Sequence, residues 1–440
     1  MADPTTSPPL TRTSVFAARE LIQPFVHRTP VVTSRSLSAL ASSVSPWTSS
    51  RPSAALPTAS TFGPGEKKEE EGKEKEDSSE GAGPGPAAQP PPTLRLWFKC
   101  ENFQRVGAFK ARGAFHAIER LKREPGWLEG GGPERGVVTH SSGNHAQALA
   151  LAARTNGIPA HIVMPSISAP PKIAATRGYG ARVVFSGSTS SEREAATALV
   201  VERTGARLVP PYDHPDIVLG QGTLGLEFQE DVAAQLASAG GPPYADAAPP
   251  LAERRLDAIL APCGGGGMLA GVALACEGTG VRVFGAEPSR GGADDARRGF
   301  ARGERVTAVS SLTVADGLRT PMGRVPWAVA YERRLVAGVY SVGDRAIRRA
   351  LRLAYERLKL VLEPSAAVPL AVALFDPDFR AMAAREAGPR GWDLGIVLSG
   401  GNVDLDALAQ LLALDGDDDD DDDAEEEEKV VEDTTTATAT

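Results

Sequence analysis

The chain has 440 residues, enough for two or three domains, and 42% of them are hydrophobic. Its net charge of −9 lies in the last segment, because residues 415–440 carry −13 and everything before them sums to +4. This distribution predicts a self-repelling acidic tail, which serves either solubility or docking to a basic partner, and it excludes an acidic surface over the whole molecule.

Three cysteines without a C-x-x-C pair indicate a reducing compartment and argue against a zinc site. No signal-peptide core precedes the first helical pattern, and no apolar run is long enough to span a bilayer. We therefore expect a cytoplasmic protein whose partners include neither a membrane nor nucleic acid.

Residues 41–93 are predicted to be a disordered insert. They are rich in Ser, Pro, Gly, Ala, Lys and Glu, include the charged run from Glu66 to Asp77, and have no sustained apolar periodicity. We expect this insert to loop out at the surface between two ordered elements.

The segment after the insert predicts a short apolar strand from Leu94 to Phe98, a break at Gly107 and then Lys110 at the start of a helix. Apolar neighbours remove water from the amine of Lys110, which favours the neutral form that makes a Schiff base with an aldehyde. Pyridoxal phosphate is the aldehyde that proteins most often hold in this way. Taken alone, the segment is also typical of a solvated surface lysine.

The next segment, Thr139–His145, lies between an apolar run that begins at Gly136 and an alanine-rich helical pattern. A strand, a turn of small polar residues and a helix place backbone N–H groups and hydroxyls at a positive helix end, which suits a carboxylate. The alternative is an ordinary helix cap by Ser142 or Asn144.

Apolar strands and helical patterns then alternate along the chain. The strands are Val137–Thr139, His161–Met164, Val183–Phe185 and Leu256–Ala261, followed by the helices Asn144–Arg154, Pro171–Tyr179, Glu192–Thr204 and Met268–Cys276. This alternation predicts parallel sheets covered by helices, with ligands at the carboxyl ends of the strands.

Two glycine-rich turns follow buried-type strands. After Ala258–Pro262 the chain runs through four consecutive glycines into a helix of small residues, which predicts a phosphate site because backbone amides can close on the anion. No Lys-Ser or Lys-Thr follows the glycines, so this is not a P-loop. The strand Leu394–Leu398 ends in Ser399 and two glycines, a pattern that alone would also fit a helix cap.

In this order, the lysine, the Asn loop, the glycine run and the terminal serine closely resemble the serine racemase and serine/threonine dehydratase family. That family belongs to the pyridoxal phosphate enzymes related to the tryptophan synthase β subunit. The resemblance extends from about Ser14 to Leu414 apart from the insert. It includes four further segments, which are Pro211–Thr223, Gly285–Ser289, Ala315–Gly317 and Leu362–Ser365.

The resemblance implies an α/β fold of pyridoxal phosphate fold type II, with two parallel-type sheets covered by helices. It further implies a large cofactor domain made of residues 1–40, 94–135 and 213–414, and a smaller mobile domain at 136–212. The tail 415–440 lies outside both. Closure of the small domain would bring its Asn loop onto a bound amino acid and exclude water.

The resemblance also implies roles for single residues. Lys110 would hold the cofactor and then act as a base beside the substrate Cα, Asn144 would bond the ring hydroxyl, and Ser399 would meet the pyridine nitrogen. The phosphate would lie on the amides of Gly264, Gly265, Gly266, Gly267 and Met268. A hydroxyl at the pyridine nitrogen, unlike a carboxylate, leaves the ring a milder electron sink, which suits β-elimination or reprotonation better than transamination.

The substrate carboxylate is expected at the loop formed by Ser141, Ser142, Gly143, Asn144 and His145. In racemases of the family the second serine of this loop faces the side of Cα opposite the lysine, and Ser142 holds that place. Two bases permit inversion as well as elimination, so Lys110 and Ser142 are the expected catalytic pair.

Relatives of this branch hold a divalent cation through a glutamate, a backbone carbonyl and an aspartate. Glu287, Ala293 and Asp295 match these ligands, with two extra residues between the first and the second. Such oxygen ligands suit Mg²⁺, with Ca²⁺ or Mn²⁺ as alternatives. A solvated acidic turn is the alternative to a metal site.

We therefore expect a pyridoxal phosphate-dependent serine racemase and L-serine (L-threonine) ammonia-lyase that acts as a homodimer on a small hydroxy amino acid. A 3-hydroxyaspartate dehydratase of the same family is the first alternative, and a β-replacement synthase is a second. A non-catalytic cofactor binder with an acidic interaction tail is disfavoured, because both expected bases are present.

Overall fold

The computed structural model describes residues 4–44, 90–168, 170–238 and 255–413. The acidic tail at 415–440 lies outside the described residues, and so does the predicted insert apart from 41–44 and 90–93 at its two ends. No helix in the described ranges combines the length and the apolar character needed to cross a membrane.

The described part of the chain contains ten strands. They are β1 Val31–Thr33, β2 Leu94–Cys100, β3 Val137–His140, β4 Ala160–Pro165, β5 Arg182–Ser186, β6 Arg207–Leu208, β7 Ala258–Pro262, β8 Arg282–Pro288, β9 Gly338–Val342 and β10 Trp392–Leu398.

Helices separate most of these strands. They are α1 Arg12–Ile22, α2 Arg35–Ala41, α3 Lys110–Leu121, α4 Gly132–Arg135, α5 Asn144–Thr155, α6 Pro170–Gly178, α7 Ser190–Thr204, α8 Pro215–Ala237, α9 Gly267–Cys276, α10 Asp295–Arg302, α11 Arg324–Trp327, α12 Asp344–Leu358, α13 Pro364–Phe375, α14 Pro377–Ala387 and α15 Leu405–Ala413.

The strands form two sheets. The larger has six strands in the order β1-β2-β10-β7-β8-β9, and the smaller has four in the order β5-β4-β3-β6. Every pair is parallel except β1 with β2, where Val32 lies opposite Phe98. The α/β prediction is confirmed, and the one antiparallel edge strand makes the larger sheet mixed, as is common for an edge added to a parallel sheet.

The centre of the larger sheet is apolar on both faces. All residues of β10 and of β7 are buried, and so are all residues of α13 and α9, which pack beside them. Strands covered on both faces lose their polar alternation, which explains why the sequence shows continuous apolar runs here.

Two glycines allow α8 and α9 to pack at close range. A Cβ added at Gly271 would lie 2.4 Å from the carbonyl oxygen of Val218, and one at Gly222 would lie 2.6 Å from the carbonyl oxygen of Gly271. The contact holds α9, and with it the glycine run at its start, against the long helix α8.

Candidate active site

The carboxyl ends of β2, β10 and β7 in the larger sheet and of β3 in the smaller one lead into the segments that the sequence singled out. Parallel strands deliver the loops at their carboxyl ends to one edge of the sheet.

Lys110 is the first residue of α3, and the backbone before it is held against the turn that follows β10. Ala108 forms an isolated bridge with Gly400, and the N–H of Phe109 donates to the carbonyl of Ser399 at 3.1 Å. Val106, four residues before the lysine, has φ 56° and ψ 17°, a left-handed conformation that is strained for a β-branched residue. The position of Lys110 is therefore fixed by tertiary contacts rather than by helix propensity.

The amine of Lys110 is partly buried. Its Nζ donates to the carbonyl of Pro211 at 2.8 Å and lies 5.0 Å from the centre of the Phe109 ring. Loss of water lowers the pKa of this amine from 10.5 to about 8, against a smaller opposing influence of the Glu363 carboxylate. A substantial neutral fraction at mildly alkaline pH makes the amine a competent nucleophile and base.

The Asn loop joins β3 to α5. Ser141 donates its N–H to Val163, and the N–H of Gly143 donates to Ser141 Oγ at 3.3 Å. Gly143 is the residue that caps α5, and no side chain accepts from the first turn. The helix-cap interpretation of Ser142 and Asn144 is therefore wrong, and the helix start keeps its amides available for another acceptor.

His145 is buried and neutral. Its Nε2 lies 3.2 Å from the carbonyl oxygen of Val209, to which the ring can donate only if Nε2 carries the proton. Burial first, and the Lys110 amine second, lower the pKa of this histidine to about 3. His145 therefore contributes shape and a backbone amide rather than a titrating charge.

The side chain of Asn144 is held by two residues that the sequence did not single out. Its Nδ2 donates to Glu363 Oε1 at 2.9 Å and to Oε2 at 3.1 Å, and its Oδ1 accepts from Asn402 Nδ2 at 2.8 Å. Burial raises the pKa of Glu363 to about 7, with the Asn144 bonds opposing that rise. Both partners stand inside motifs that carried the family resemblance, but neither was assigned a role.

The four glycines lie in the turn after β7 and at the first residue of α9, and each is tightly enclosed. A Cβ at Gly265 would lie 2.3 Å from Cγ of Tyr212, and one at Gly264 would lie 2.9 Å from Cα of Leu318. Gly266 has φ 78° and precedes the first turn of α9, which has no side-chain cap. Glycine is required here by the neighbouring ring and backbone, and the uncapped amides of α9 suit a phosphate.

One short segment connects the lysine with the glycine run. The carbonyl of Pro211 accepts from Lys110, and the adjacent Tyr212 packs its ring on Gly265. Residues 211 and 212 therefore contact both the Lys110 amine and the glycine turn that is expected to bind phosphate. Tyr212 lies in the segment Pro211–Thr223 that carries the resemblance, and its contact with the glycines emerges only from the fold.

Ser399 is 3% exposed and follows the central strand β10 directly. The first turn of α15 is capped by Asp404, whose Oδ1 accepts from the N–H groups of Asp406 and Ala407. Ser399 therefore does not cap a helix, and it lies beside the backbone that leads to Lys110.

Of the three expected cation ligands, Glu287 lies in β8, Asp295 is the first residue of α10, and Ala293 lies in the turn between them. Glu287 is fully buried and accepts from the backbone N–H groups of Ala296 and Arg297, while Asp295 accepts from Met322 through Oδ2. The Oδ1 of Asp295 is buried without a hydrogen-bond partner among the described residues. Burial and mutual repulsion raise the pKa of Glu287, and burial raises that of Asp295 to about 6. Among the described residues no cluster of three or more His, Cys, Asp or Glu side chains has the geometry of a metal site.

Comparisons with known proteins find related sequences and structures. The family model described as "Pyridoxal-phosphate dependent enzyme" matches residues 84–390. Serine racemase of Oryza sativa subsp. japonica is 40% identical over 320 residues, 72% of this chain and 84% of the relative. L-threo-3-hydroxyaspartate ammonia-lyase of Saccharomyces cerevisiae is 37% identical over 322 residues, 72% of this chain and 86% of the relative. The solved structure of maize serine racemase superposes with a TM-score of 0.68 at 35% identity and covers 92% of this chain and 97% of that one.

Proposed function

The chain belongs to the family of pyridoxal phosphate-dependent enzymes that includes the serine racemases, and from that premise we propose that it is a serine racemase and an L-serine (L-threonine) ammonia-lyase. The observation that carries the proposal is that residues 211 and 212 contact both the desolvated Lys110 amine and the glycine turn.

The residues present fit the cofactor. A cradle that any Cβ would fill, an uncapped helix start and an amine with a lowered pKa match a ligand that has both a phosphate and an aldehyde. The chemistry that pyridoxal phosphate supplies when bound is an electron sink for charge at the substrate Cα.

Each expected contact has a place in the proposal. The amides from Gly264 to Met268, in the glycine turn and the first residues of α9, would receive the phosphate. Asn144 would donate to the ring hydroxyl through Nδ2, the end that Glu363 now accepts from. Ser399 would offer its hydroxyl to the ring nitrogen, and a hydroxyl does not force that nitrogen to be charged.

The substrate carboxylate would be received by the Asn loop, whose members are Ser141, Ser142, Gly143, Asn144 and His145. Neutral His145 keeps this end of the site free of a fixed charge, so the amides at the start of α5 supply the attraction. Movement of the four-stranded sheet toward the larger one would close the loop over the substrate and exclude water.

Proton transfer at Cα would be shared by two side chains. The neutral amine of Lys110 takes or returns the proton on one side, and the Ser142 hydroxyl does so on the other. Removal on one side and return on the other inverts the amino acid. Removal followed by loss of the β-hydroxyl as water gives an enamino acid, which tautomerises to the imino acid, and water then hydrolyses this to the keto acid and ammonia.

Dehydration of 3-hydroxyaspartate is a second candidate activity, and the yeast relative with that name is the observation that favours it. One experiment tests both activities against a non-catalytic cofactor binder. The purified holoenzyme is incubated with L-serine, L-threonine and L-threo-3-hydroxyaspartate, and keto acid and D-amino acid are measured together. We expect pyruvate and D-serine from L-serine. The proposal is rejected if none of the three substrates gives a keto acid or a D-amino acid.

We also propose a divalent cation, Mg²⁺ first and Ca²⁺ or Mn²⁺ otherwise, held by Glu287, the carbonyl of Ala293 and Asp295. The unpartnered Asp295 Oδ1 and the two buried carboxylates support it, because a cation would satisfy both. Chelation with EDTA should lower the thermal midpoint of the protein, and Mg²⁺ should restore it. An unchanged midpoint would favour a plain acidic turn.

A homodimer and a cytoplasmic location complete the proposal. Phe103 and Val361 are about half exposed and lie in neighbouring segments joined by the bond from Asn102 to the Val361 carbonyl, which makes an apolar surface for a second copy. All three cysteines are free and buried, as suits a reducing compartment. Sedimentation velocity of the full chain tests the dimer.

A further inference from the structure

The side chain of Asn402 bonds to two different segments of the site. It lies in the turn after β10, and its Nδ2 donates to the carbonyl of Val106 at 2.7 Å and to Asn144 Oδ1 at 2.8 Å. The first acceptor stands in the chain that leads to Lys110, and the second opens helix α5. Both hydrogens of one amide are thus used to join the lysine segment to the Asn loop.

The first of these bonds holds strained backbone. Val106 adopts a left-handed conformation, which a β-branched residue keeps only where its surroundings enforce it. Asn402 fixes the Val106 carbonyl, and the adjacent N–H of Gly401 donates to the carbonyl of Gly107 at 2.9 Å. These two bonds therefore hold the strained backbone of Val106, four residues before Lys110, in place.

The second bond determines the orientation of the Asn144 amide, that is, which neighbours its oxygen and its nitrogen face. A donor 2.8 Å away requires the Asn144 oxygen on the Asn402 side, so Nδ2 must turn toward Glu363. The reverse orientation would set two NH₂ groups against each other and would face the Glu363 carboxylate with an oxygen. Asn402 therefore points the donor of Asn144 in one direction.

We propose that Asn402 is a positioning residue for the cofactor, because it fixes the donor end of Asn144 and the path of the chain before Lys110 at the same time. The proposal rests on the proposed function and deepens it. The chemical group that Asn144 would be aimed at is the ring hydroxyl of a pyridoxal-type aldehyde.

The test uses the full chain with pyridoxal phosphate bound. Asn402→Ala removes both donated bonds, and we expect cofactor affinity and kcat to fall by about the 10- to 100-fold that outer-shell partners cost in metal sites, with a smaller change in KM. The visible absorption spectrum of the bound cofactor should also change. Asn156→Ala is the matched control, because Asn156 also donates through Nδ2, to the Ala152 carbonyl at 3.0 Å, but lies at the end of α5 opposite the Asn loop, and it should leave spectrum and affinity as in the wild type.

A second variant separates positioning from simple support of the backbone. Glycine adopts a left-handed conformation without strain, so Val106→Gly added to Asn402→Ala should restore the thermal midpoint. Under the proposal it does not restore the spectrum or the cofactor affinity, because the Asn144 amide is still unfixed. Recovery of all three by Val106→Gly would overturn the proposal.

Cofactor uptake by the wild type distinguishes failure of the proposed function from failure of the role of Asn402. If the wild type takes up no pyridoxal phosphate, the proposed function fails. If the wild type takes up pyridoxal phosphate and Asn402→Ala has the same cofactor affinity, kcat and absorption spectrum, the proposed function stands and the role of Asn402 is rejected.

Discussion

At the scale of single residues, burial sets the protonation states of the candidate site more than neighbouring charges do. It is the largest influence on the pKa values of Lys110, His145 and Glu363. Loss of water disfavours the charged form of each group, so the amine and the imidazole lose protons more easily while the carboxyl group keeps its own. The site therefore holds less fixed charge at neutral pH than its composition suggests.

The lowered pKa of Lys110 predicts a pH dependence for cofactor uptake. Only the neutral amine attacks the aldehyde, and with a pKa of about 8 its neutral fraction rises about tenfold per pH unit below 8 and then levels off. The rate at which apoprotein gains visible absorption after addition of pyridoxal phosphate should follow this curve. A rate that keeps rising toward pH 10.5, the ordinary lysine value, would mean that the amine is solvated.

Replacement of Ser142 should separate the two reactions. Ser142→Ala removes one of the two proposed bases, so D-serine formation should fall by about 10²-fold or more while pyruvate formation from L-serine persists. Coupled assays for D-serine and pyruvate on the same sample measure both. Ser238→Ala, at the distant end of α8, serves as the control. Unchanged D-serine formation in Ser142→Ala would remove Ser142 from the mechanism.

At the scale of elements, α3 is anchored by a buried ionic network. Arg112, fully buried two residues after the lysine, donates to Glu101 Oε2 at 2.8 Å and to Glu227 Oε2 at 2.8 Å. Lys99 of β2, also fully buried, bonds Glu227 as well. The network ties the helix that begins with Lys110 to β2 and α8, and it fixes the base of the site.

Removal of Arg112 should therefore destabilise the fold strongly. Arg112→Ala leaves the buried Glu101 carboxylate without its cationic partner and leaves Glu227 with Lys99 alone, which we expect to lower the free energy of unfolding by about 3–5 kcal/mol in urea titrations followed by circular dichroism. Arg123→Ala breaks a pair on the same chain segment whose arginine is half exposed, and it should cost less than about 1 kcal/mol. Equal losses in the two variants would contradict this account, and Arg112→Lys provides a milder variant if the alanine form does not fold.

The elements themselves were largely predictable. The strands predicted at Val137–Thr139, His161–Met164, Val183–Phe185 and Leu256–Ala261 appear within a few residues of their predicted bounds, and so do the helices that follow them. A buried parallel strand leaves a continuous apolar run in the sequence. The antiparallel edge strand β1 was not predicted. Its partner follows α2 and a long insert, so no local turn signal indicates the pairing.

At the scale of the whole molecule, few polar contacts join the segment 136–212 to the larger sheet across the site. Lys172 of α6 pairs with Asp316 at 2.7 Å, and Asn144 reaches Glu363 and Asn402. These bonds span 144, 219 and 258 residues of sequence. Such separations explain why motif reading found Lys110, Asn144 and the glycines but missed Glu363 and Asn402, since partners that distant leave no local pattern.

The pair between Lys172 and Asp316 should favour the closed arrangement. Both side chains are more than a third exposed, so the pair is worth at most about 1 kcal/mol, and Lys172→Ala should raise KM for L-serine by no more than about fivefold at low salt. Added salt should erase the difference, because it screens exposed charges. The charge swap Lys172→Asp with Asp316→Lys should recover KM in part, and Glu277→Ala, from an exposed pair with Arg333 elsewhere, is the control. If the increase in KM caused by Lys172→Ala persists in high salt, the ion pair with Asp316 does not stabilise the closed arrangement through its charges.

The proposed function depends on one amine, that of Lys110, as the group that holds the cofactor. Its most direct test is reduction of the coloured holoenzyme with borohydride, followed by digestion and mass spectrometry. The account predicts a pyridoxyl group on the peptide that contains Lys110 and none on the corresponding peptide of Lys110→Ala. A protein that stays colourless with pyridoxal phosphate, or a pyridoxyl group fixed to another lysine, would contradict it.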